Sequence, residues 1–413
     1  MAPKNIFVVG AGIIGSTTAY YLAHHPAIST ASITVIESSK LGAAQGASGK
    51  AGGLVAKWAY PKPLTTVSFQ EHVKLAEEHD GANRWGWRWT GVGELVGRAA
   101  PAQDKLVKEG VGPTQNLEKK AGLSPLNRTK AKAGQAKGLP EDLSWVNADL
   151  ADTYDPMAPP GDTAQVHPYL FTTSMLELAI QKGVQFVQGR VVSIESESGQ
   201  VSGVRYIQSD GLEELHLSAD CIVLAAGAWS PNILPSLPIS ATRAHSIVIR
   251  SPASLRIDAV SAYVLFTAIQ LPKSGKGRPR VVTPEIYPRP DKTIYVCGPG
   301  DTRVPLPQTV DEVDVDPHAC EEIWEWVTKT GVVESWALEG IERRQACYLP
   351  VVEGEGGPIV GEVPGMKGLV VATGHTCWGI CNAPGTAKAV SELVLEGKIR
   401  CADLDVLDPS RFF

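Results

Sequence analysis

The sequence predicts an α/β chain in which a parallel-sheet domain built to bind a dinucleotide is interleaved with an α+β domain on an antiparallel sheet. Three observations predict it. The first sixty residues read as a strand, a glycine turn, a helix and a second strand, in that order. A buried strand running into a glycine turn returns at Asp220-Cys-Ile-Val-Leu-Ala-Ala-Gly227 and at Gly368-Leu-Val-Val-Ala-Thr-Gly374. Between those returns, residues 243–298 hold several β-patterned stretches punctuated by Pro and Gly, which suggests an antiparallel sheet.

Taken in order, Ile6-Phe-Val-Val9 is a continuous apolar run, suited to a parallel strand buried on both faces. Ile13 to Ala23 has helical spacing and ends before Pro26, and Ile33-Thr-Val-Ile36 is the next strand. Such a βαβ unit implies a parallel sheet. From about Trp58 the texture changes. A helix over Val67–Glu78 precedes Trp85-Gly-Trp-Arg-Trp89, whose tryptophans share one face if the segment is a strand. Such a face more often fills a core than lines a pocket. A polar, Pro- and Gly-rich region runs on to about Asp162, followed by a helix over Leu170–Lys182 and a strand over Val184–Val187. The β-patterned stretches are Ser246–Arg250, Tyr263–Thr267 and Thr293–Cys297; helices follow over His318–Lys329 and from about Ala383 to Leu395. The chain therefore leaves the parallel domain twice and returns twice. Residues 1–57, 162–240 and 341–413 make the cofactor domain, and 58–161 and 241–340 the substrate domain.

A chain of 413 residues suits two domains rather than one core, and 43% apolar with 20% charged residues is an ordinary globular balance. A net charge of −6 gives no footprint for nucleic acid or an anionic membrane. The longest basic stretch, Asn127–Lys137, is diluted by Gly and Ala and reads as a solvated loop. Seven scattered cysteines argue for a reducing compartment rather than a disulfide framework. No apolar run approaches the roughly 20 residues of a membrane helix, and no cleavable presequence fits before Ile6. A soluble, cytoplasmic protein without membrane insertion is expected, and no metal site, since Cys377 and Cys381 lack a second ligand pair.

Gly10-Ala11-Gly12-Ile13-Ile14-Gly15 sits directly between strand and helix, the context that a dinucleotide fingerprint requires. Gly10 allows the tight turn, Gly12 lets backbone approach the pyrophosphate, and Gly15 lets helix pack on strand. The helix N-terminus offers unpaired N–H groups to the phosphates. Glu37, followed by Ser38, closes the second strand where a carboxylate accepts from the ribose. Three features favour FAD over NAD. There is one fingerprint and no second for NAD(P)H. A second small-residue segment, Gly42 to Gly53, follows the acid at once, and its small residues permit a close approach to a long cofactor. Ala372-Thr-Gly374 leads into a new helix that can aim N–H dipoles at the flavin pyrimidine.

On Val8–Gly15, Gly46–Gly53, Val223–Ser230, Pro284–Gly298 and Gly368–His375, the chain resembles the D-amino-acid oxidase/sarcosine oxidase/glycine oxidase family, and within it a less characterised fungal branch. The likeness covers nearly the whole chain. It implies a Rossmann-like FAD domain with an antiparallel sheet roofing the substrate over the flavin. It also implies hydride transfer from the carbon bearing the amine of a small amine or amino acid, usually with reoxidation by O₂. Gly10, Gly12, Gly15 and Glu37 then match the AMP-half contacts, and Ser48, Gly49, Lys50 and Gly52 the loop along pyrophosphate and flavin. Val191 or Val192 matches the backbone contact to adenine. Ala226, Gly227 and Trp229 match the third FAD-facing turn; Gly374, His375, Gly379 and Ile380 the loop at the flavin carbonyl. The sequence departs from the family at two lysines: Cys381 stands where sarcosine-oxidase-like members bind substrate, and Val296 where they activate oxygen. Some members tether the flavin through a cysteine, and Cys347 lies about as far before the last glycine turn; aligning on Tyr348 instead puts Ala346 there and removes the bond. Arg343 or Arg344 would favour the Cys347 thiolate if they point the same way.

Hydride transfer from an amine needs positioning more than acid–base machinery. His375 either faces the flavin or caps the following helix, and Trp378 either walls the substrate or packs. Arg289, Arg343 and Arg344 are the candidate carboxylate clamps, each with a surface or structural ion pair as its alternative. Tyr287 and Tyr295 read as core of the roof sheet, and His167 as structural. Two rival readings stay open: an FAD dehydrogenase with a non-oxygen acceptor, and a binding or trafficking protein that retains flavin for structure.

Overall fold

A computed structural model describes residues 3–28, 31–100, 138–211, 213–256, 260–272, 279–354 and 356–413. The basic stretch 127–137 lies outside the described residues. The first sheet runs β10 (Glu214–Ser218), β9 (Gln200–Gln208), β8 (Gln185–Glu197), β2 (Ser32–Glu37), β1 (Asn5–Val9), β11 (Cys221–Leu224), β19 (Leu369–Thr373), β18 (Ile359–Glu362). Strands β8, β2, β1, β11 and β19 are parallel, with Val8 level with Val35 on one side and Val223 on the other. Their near-continuous Val and Ile content follows from burial on both faces. Ile6, Val8 and Val35 pack under the helices Ile13–His24, Pro168–Gln181 and Gly379–Glu396, while Phe7, Val9 and Ile36 pack against the β8–β9–β10 arm.

The second sheet runs β17 (Gly340–Val352), β12 (Ile239–Arg250), β16 (Thr293–Asp301), β15 (Glu285–Pro288), β13 (Tyr263–Gln270), β5 (Gly91–Arg98), β6 (Ala151–Pro156), with β14 (Val281–Val282) on β13. It is antiparallel except where β13 meets β5. The two-residue period divides its faces. Ile294 and Val296 face a core with Ile247, Ile286 and the Pro317–Thr328 helix, while Tyr295 and Cys297 face the first domain. The expected return to the first domain at 341 falls at the start of β17, which pairs with β12 along its length; the first sheet is rejoined at β18. A small sheet of β3 (Leu54–Ala56), β7 (Thr163–Gln165) and β4 (Arg88–Trp89) ties the two together.

The alternating tryptophans do not share a strand face. Trp85 ends the short helix Gly81–Trp85, and Gly86 stops that helix with φ +67°, so only Arg88 and Trp89 are extended in β4. Trp85 is buried against Phe171, whereas Trp89 is half exposed. No helix among the described residues is long and apolar enough to cross a membrane.

Candidate cofactor and substrate site

A cleft of about 520 Å³ begins at the carboxyl ends of β1 and β2 and continues beneath the second sheet. That is where open parallel sheets bind ligands. Gly10 turns the chain with φ +101°, and a Cβ there would lie 2.7 Å from the Ala225 carbonyl. A side chain at Gly15 would strike the Gly10 carbonyl, so Gly15 packs helix on strand and does not itself line the cleft. Gly12 does line it, at the open N-terminus of the Ile13–His24 helix, beside Ile13 and Ile14. The Ile13 backbone N–H donates to Ser48 Oγ at 2.8 Å, joining the two glycine loops.

Glu37 and Ser38 also line the cleft. The Glu37 carboxylate accepts from Ala11 N at 2.7 Å and Ser39 N at 2.8 Å, and the Ser38 hydroxyl donates to it at 3.3 Å. Burial pushes its pKa up against those three hydrogen bonds. Ala11 is held behind the turn and does not reach the cleft. At the β8 side, Val191 and Val192 line the cleft beside Arg190, and on the opposite side Ala226, Gly227 and Trp229 do so.

The second loop gives Ser48, Lys50 and Gly52 to the lining, but not Gly49, whose missing side chain lets it pack on the Ala44 carbonyl. The Lys50 ammonium donates to Ala346 O at 3.1 Å, and burial lowers its pKa. Cys347, next along β17, lines the cleft; burial pushes its thiol up to about 11, with the Lys50 charge opposing. From the last strand, His375, Trp378, Gly379 and Ile380 line the cleft. Gly374 does not: with φ +81° it turns the chain against Val352 and Ile359. His375 is buried, with Nε2 3.0 Å from Thr386 Oγ1, and burial drops its pKa to about 3, so it is a neutral imidazole. The Trp378 indole N–H is buried without a partner among the described residues.

Overhead, the second sheet contributes Phe266, Glu285, Tyr287, Tyr295 and Cys297. The register sets Phe266 opposite Glu285, Glu285 opposite Cys297, and Tyr287 opposite Tyr295. Tyr287 OH donates to Glu285 Oε2 at 2.5 Å, and Cys297 Sγ lies 3.6 Å from the same oxygen. An aromatic series continues from there, with Tyr287 to Phe266 at 6.4 Å, Phe266 to Trp58 at 6.3 Å and Trp58 to Trp378 at 5.2 Å between ring centres. Tyr287 and Tyr295 are buried core residues that also line the cleft, and Phe266, Glu285 and Cys297 line it beside them. The sequence signal for the roof is Glu285 itself, a carboxylate opening the otherwise buried strand Glu285–Pro288.

Several expected site residues lie elsewhere. Cys381 is buried against the Ala56 backbone, its thiol pushed up to about 12, and does not line the cleft; one position earlier, Ile380 does. Val296 points into the core on the far side of the sheet, so the positions facing the cleft are Tyr295 and Cys297, and neither is lysine. Arg289 is buried and donates to Ala51 O at 2.5 Å, with its guanidinium 4.9 Å from the Tyr295 ring centre. It braces the second loop from above and does not line the cleft. Arg343 and Arg344 are exposed, 3.9 Å from Glu342 and 3.5 Å from Glu321, so neither supports the Cys347 thiolate; Lys50 is the cation beside it.

The sequence profile of the FAD dependent oxidoreductase family, DAO, matches residues 5–393. A Saccharomyces cerevisiae protein named "Putative oxidoreductase TDA3" is 30% identical, over 99% of this chain and 95% of its own length. Among solved structures, glycine oxidase from Bacillus cereus superposes with a TM-score of 0.69 at 19% identity over 98% of each chain. Iminodiacetate oxidase from Chelativorans sp. BNC1 gives 0.67 at 19% identity, also over 98% of each. These structural likenesses are likenesses of fold.

Proposed function

The chain belongs to the FAD dependent oxidoreductase (DAO) family, and from that premise we propose that it oxidises the carbon–nitrogen bond of a small amine or amino acid, passing the electrons to O₂ as hydrogen peroxide. The observation that carries this reading is the continuity of the cleft, from the dinucleotide turn to an aromatic chamber under the second sheet. The residues present fit FAD. The helix N-terminus at Gly12–Ile14 and the Ser48 loop would take the pyrophosphate, Glu37 the ribose, and Val191 and Val192 the adenine. Lys50, Gly52 and the His375–Ile380 loop would hold the isoalloxazine.

Bound FAD supplies the hydride acceptor, so the protein's tasks are to orient the substrate and exclude water. Phe266, Tyr287 and Trp378 are suited to both, as rigid walls of a half-closed chamber. The neutral His375 holds its ring against Thr386 and donates or accepts without carrying charge. The glycine oxidase and iminodiacetate oxidase folds belong to proteins that act, by name, on small amines and amino acids, which supports the same class here.

The test is turnover in air with a panel of primary amines, N-methyl amines and D- and L-amino acids. Hydrogen peroxide and a carbonyl product are expected, the carbonyl arising by hydrolysis of the imine. Cleft positions Tyr295 and Cys297 offer no lysine for oxygen activation, which gives the dehydrogenase reading its footing. A reduced flavin that persists for minutes in air yet reoxidises quickly with a quinone would replace O₂ by that acceptor.

A further inference from the structure

We propose that residues 304–312, which leave the second sheet, form a clasp across the nucleotide half of the FAD seat, so that the bonds at its two feet set the rate of cofactor release. The inference rests on the reading of the cleft as an FAD site and is independent of which substrate the flavin oxidises. The segment lies between β16 and the Pro317–Thr328 helix, and β12 pins both ends of that connection. At one end the buried Arg243 guanidinium lies 3.4 Å from the Asp301 carboxylate. At the other, His245 Nε2 accepts the Asp316 backbone N–H at 3.1 Å. Between these points the chain reaches the cleft, where Gln308 and Val310 join the lining.

One foot stands just past β2. Asp311 Oδ1 accepts from the Ser39 hydroxyl at 2.5 Å, and its Oδ2 from the Lys40 backbone N–H at 2.8 Å. Glu37 and Ser38, immediately before them, line the cleft where the ribose would sit. The other foot stands past β11 and on β17. There the Trp229 indole N–H donates to Pro307 O at 2.8 Å, and the Tyr348 hydroxyl donates between the Val304 and Pro305 carbonyls at 3.1 and 3.0 Å. Since β2 and β11 flank β1 in the sheet, the clasp bridges the two strands beside the glycine turn. Val310, buried, also packs on the small-residue loop, its Cγ2 3.7 Å from where a Cβ on Gly46 would lie. The span itself is stiff. Pro305 and Pro307 restrict the backbone and carry no N–H to satisfy. A capping box between Thr309 and Glu312 closes the turn Val310–Glu312, with the Thr309 N–H donating to Glu312 at 3.1 Å. Such a span gives up little conformational freedom when its feet are bonded.

The test is the rate at which FAD leaves the loaded protein in an excess of 5-deaza-FAD, read from the 450 nm absorbance of the desalted protein fraction. Asp311→Ala is expected to release FAD about tenfold faster, because it removes two hydrogen bonds to a charged acceptor. Charge alone predicts the reverse, since Asp311 and the FAD pyrophosphate are both anionic. Asp311→Asn removes the same charge but keeps one acceptor, so its release rate should fall between those of Asp311→Ala and wild type. Tyr348→Phe deletes the hydroxyl at the other foot, keeps the ring and should also hasten release; it decides alone if the Asp311 variants do not fold. A release rate within about twofold of wild type in either Asp311→Ala or Tyr348→Phe, or slower release from Asp311→Ala, would overturn the clasp. The parent reading fails differently. Wild-type protein that takes up no FAD sinks the FAD seat and the clasp together, whereas tightly bound FAD whose release ignores Asp311 sinks the clasp alone.

Discussion

The Ser48 hydroxyl oxygen accepts the Ile13 backbone N–H at 2.8 Å, and this one bond ties the small-residue loop to the first turn of the helix that would face the pyrophosphate. A Cβ on Gly12 would lie 3.1 Å from the same hydroxyl, so a side chain there has nowhere to go except into the cleft. Gly12→Val is therefore expected to give folded but colourless protein. The ratio of 450 nm to 280 nm absorbance after desalting measures it, and a Gly12→Val protein that stays fully yellow would remove this turn from the cofactor site.

Replacing Glu37 has two costs. One is a lost ribose contact, and the other is the orphaning of the Ala11 and Ser39 amides that the carboxylate now satisfies. Each orphaned buried donor costs about 1–3 kcal/mol. Glu37→Ala should lower the unfolding midpoint in urea and weaken FAD retention, yet less completely than Gly12→Val because the phosphate site survives. Equal FAD loss in the two variants would contradict this ordering.

Two buried imidazoles predict the acid limb of stability. Burial holds His72 down to about 4 and His375 to about 3, against an ordinary 6.5. The unfolded chain therefore takes up protons first as pH falls below 6.5. Stability is full above that pH and is lost toward pH 4, by about 1.4 kcal/mol per pH unit for each histidine. His72→Gln keeps a donor for the Ile380 carbonyl and removes one titration, so between pH 6.5 and about 4 its stability should fall with acid by about 1.4 kcal/mol per pH unit less than that of the wild type. An unchanged slope would show that His72 does not contribute to the acid limb.

Cys347 stands in the cleft wall, but a covalent flavin link needs its thiolate, and burial opposes that more than Lys50 favours it. Acid precipitation should leave the flavin in the supernatant. Yellow pellets that turn colourless in Cys347→Ser would establish the tether, with bound flavin itself then lowering the thiol pKa.

The cofactor half was legible because its determinants are local. Gly10, Gly12, Gly15 and Glu37 lie within one βαβ unit, so the motif can be read in a short window even though Gly10 and Gly12 also meet Ala225 and Ser48 from outside it. The roof was not, because Phe266, Glu285 and Cys297 meet only through the pairing of β13, β15 and β16, which no short window contains. Cys381 and Val296 illustrate the narrower problem. Both sit one position from a cleft-lining residue, and one position along a strand reverses the face, while along a helix it turns the side chain by about 100°. Trp85 fills the core as expected, but the helix stop at Gly86 breaks the alternation that a strand would need.

The central claim is that this cleft brings an amine to a flavin for oxidation, and anaerobic mixing of the FAD-loaded protein with amines and amino acids tests it most directly. The account predicts that at least one of them bleaches the 450 nm flavin band, with one equivalent of carbonyl product after quenching. A flavin that dithionite reduces but that every amine and amino acid in the panel leaves oxidised would contradict it.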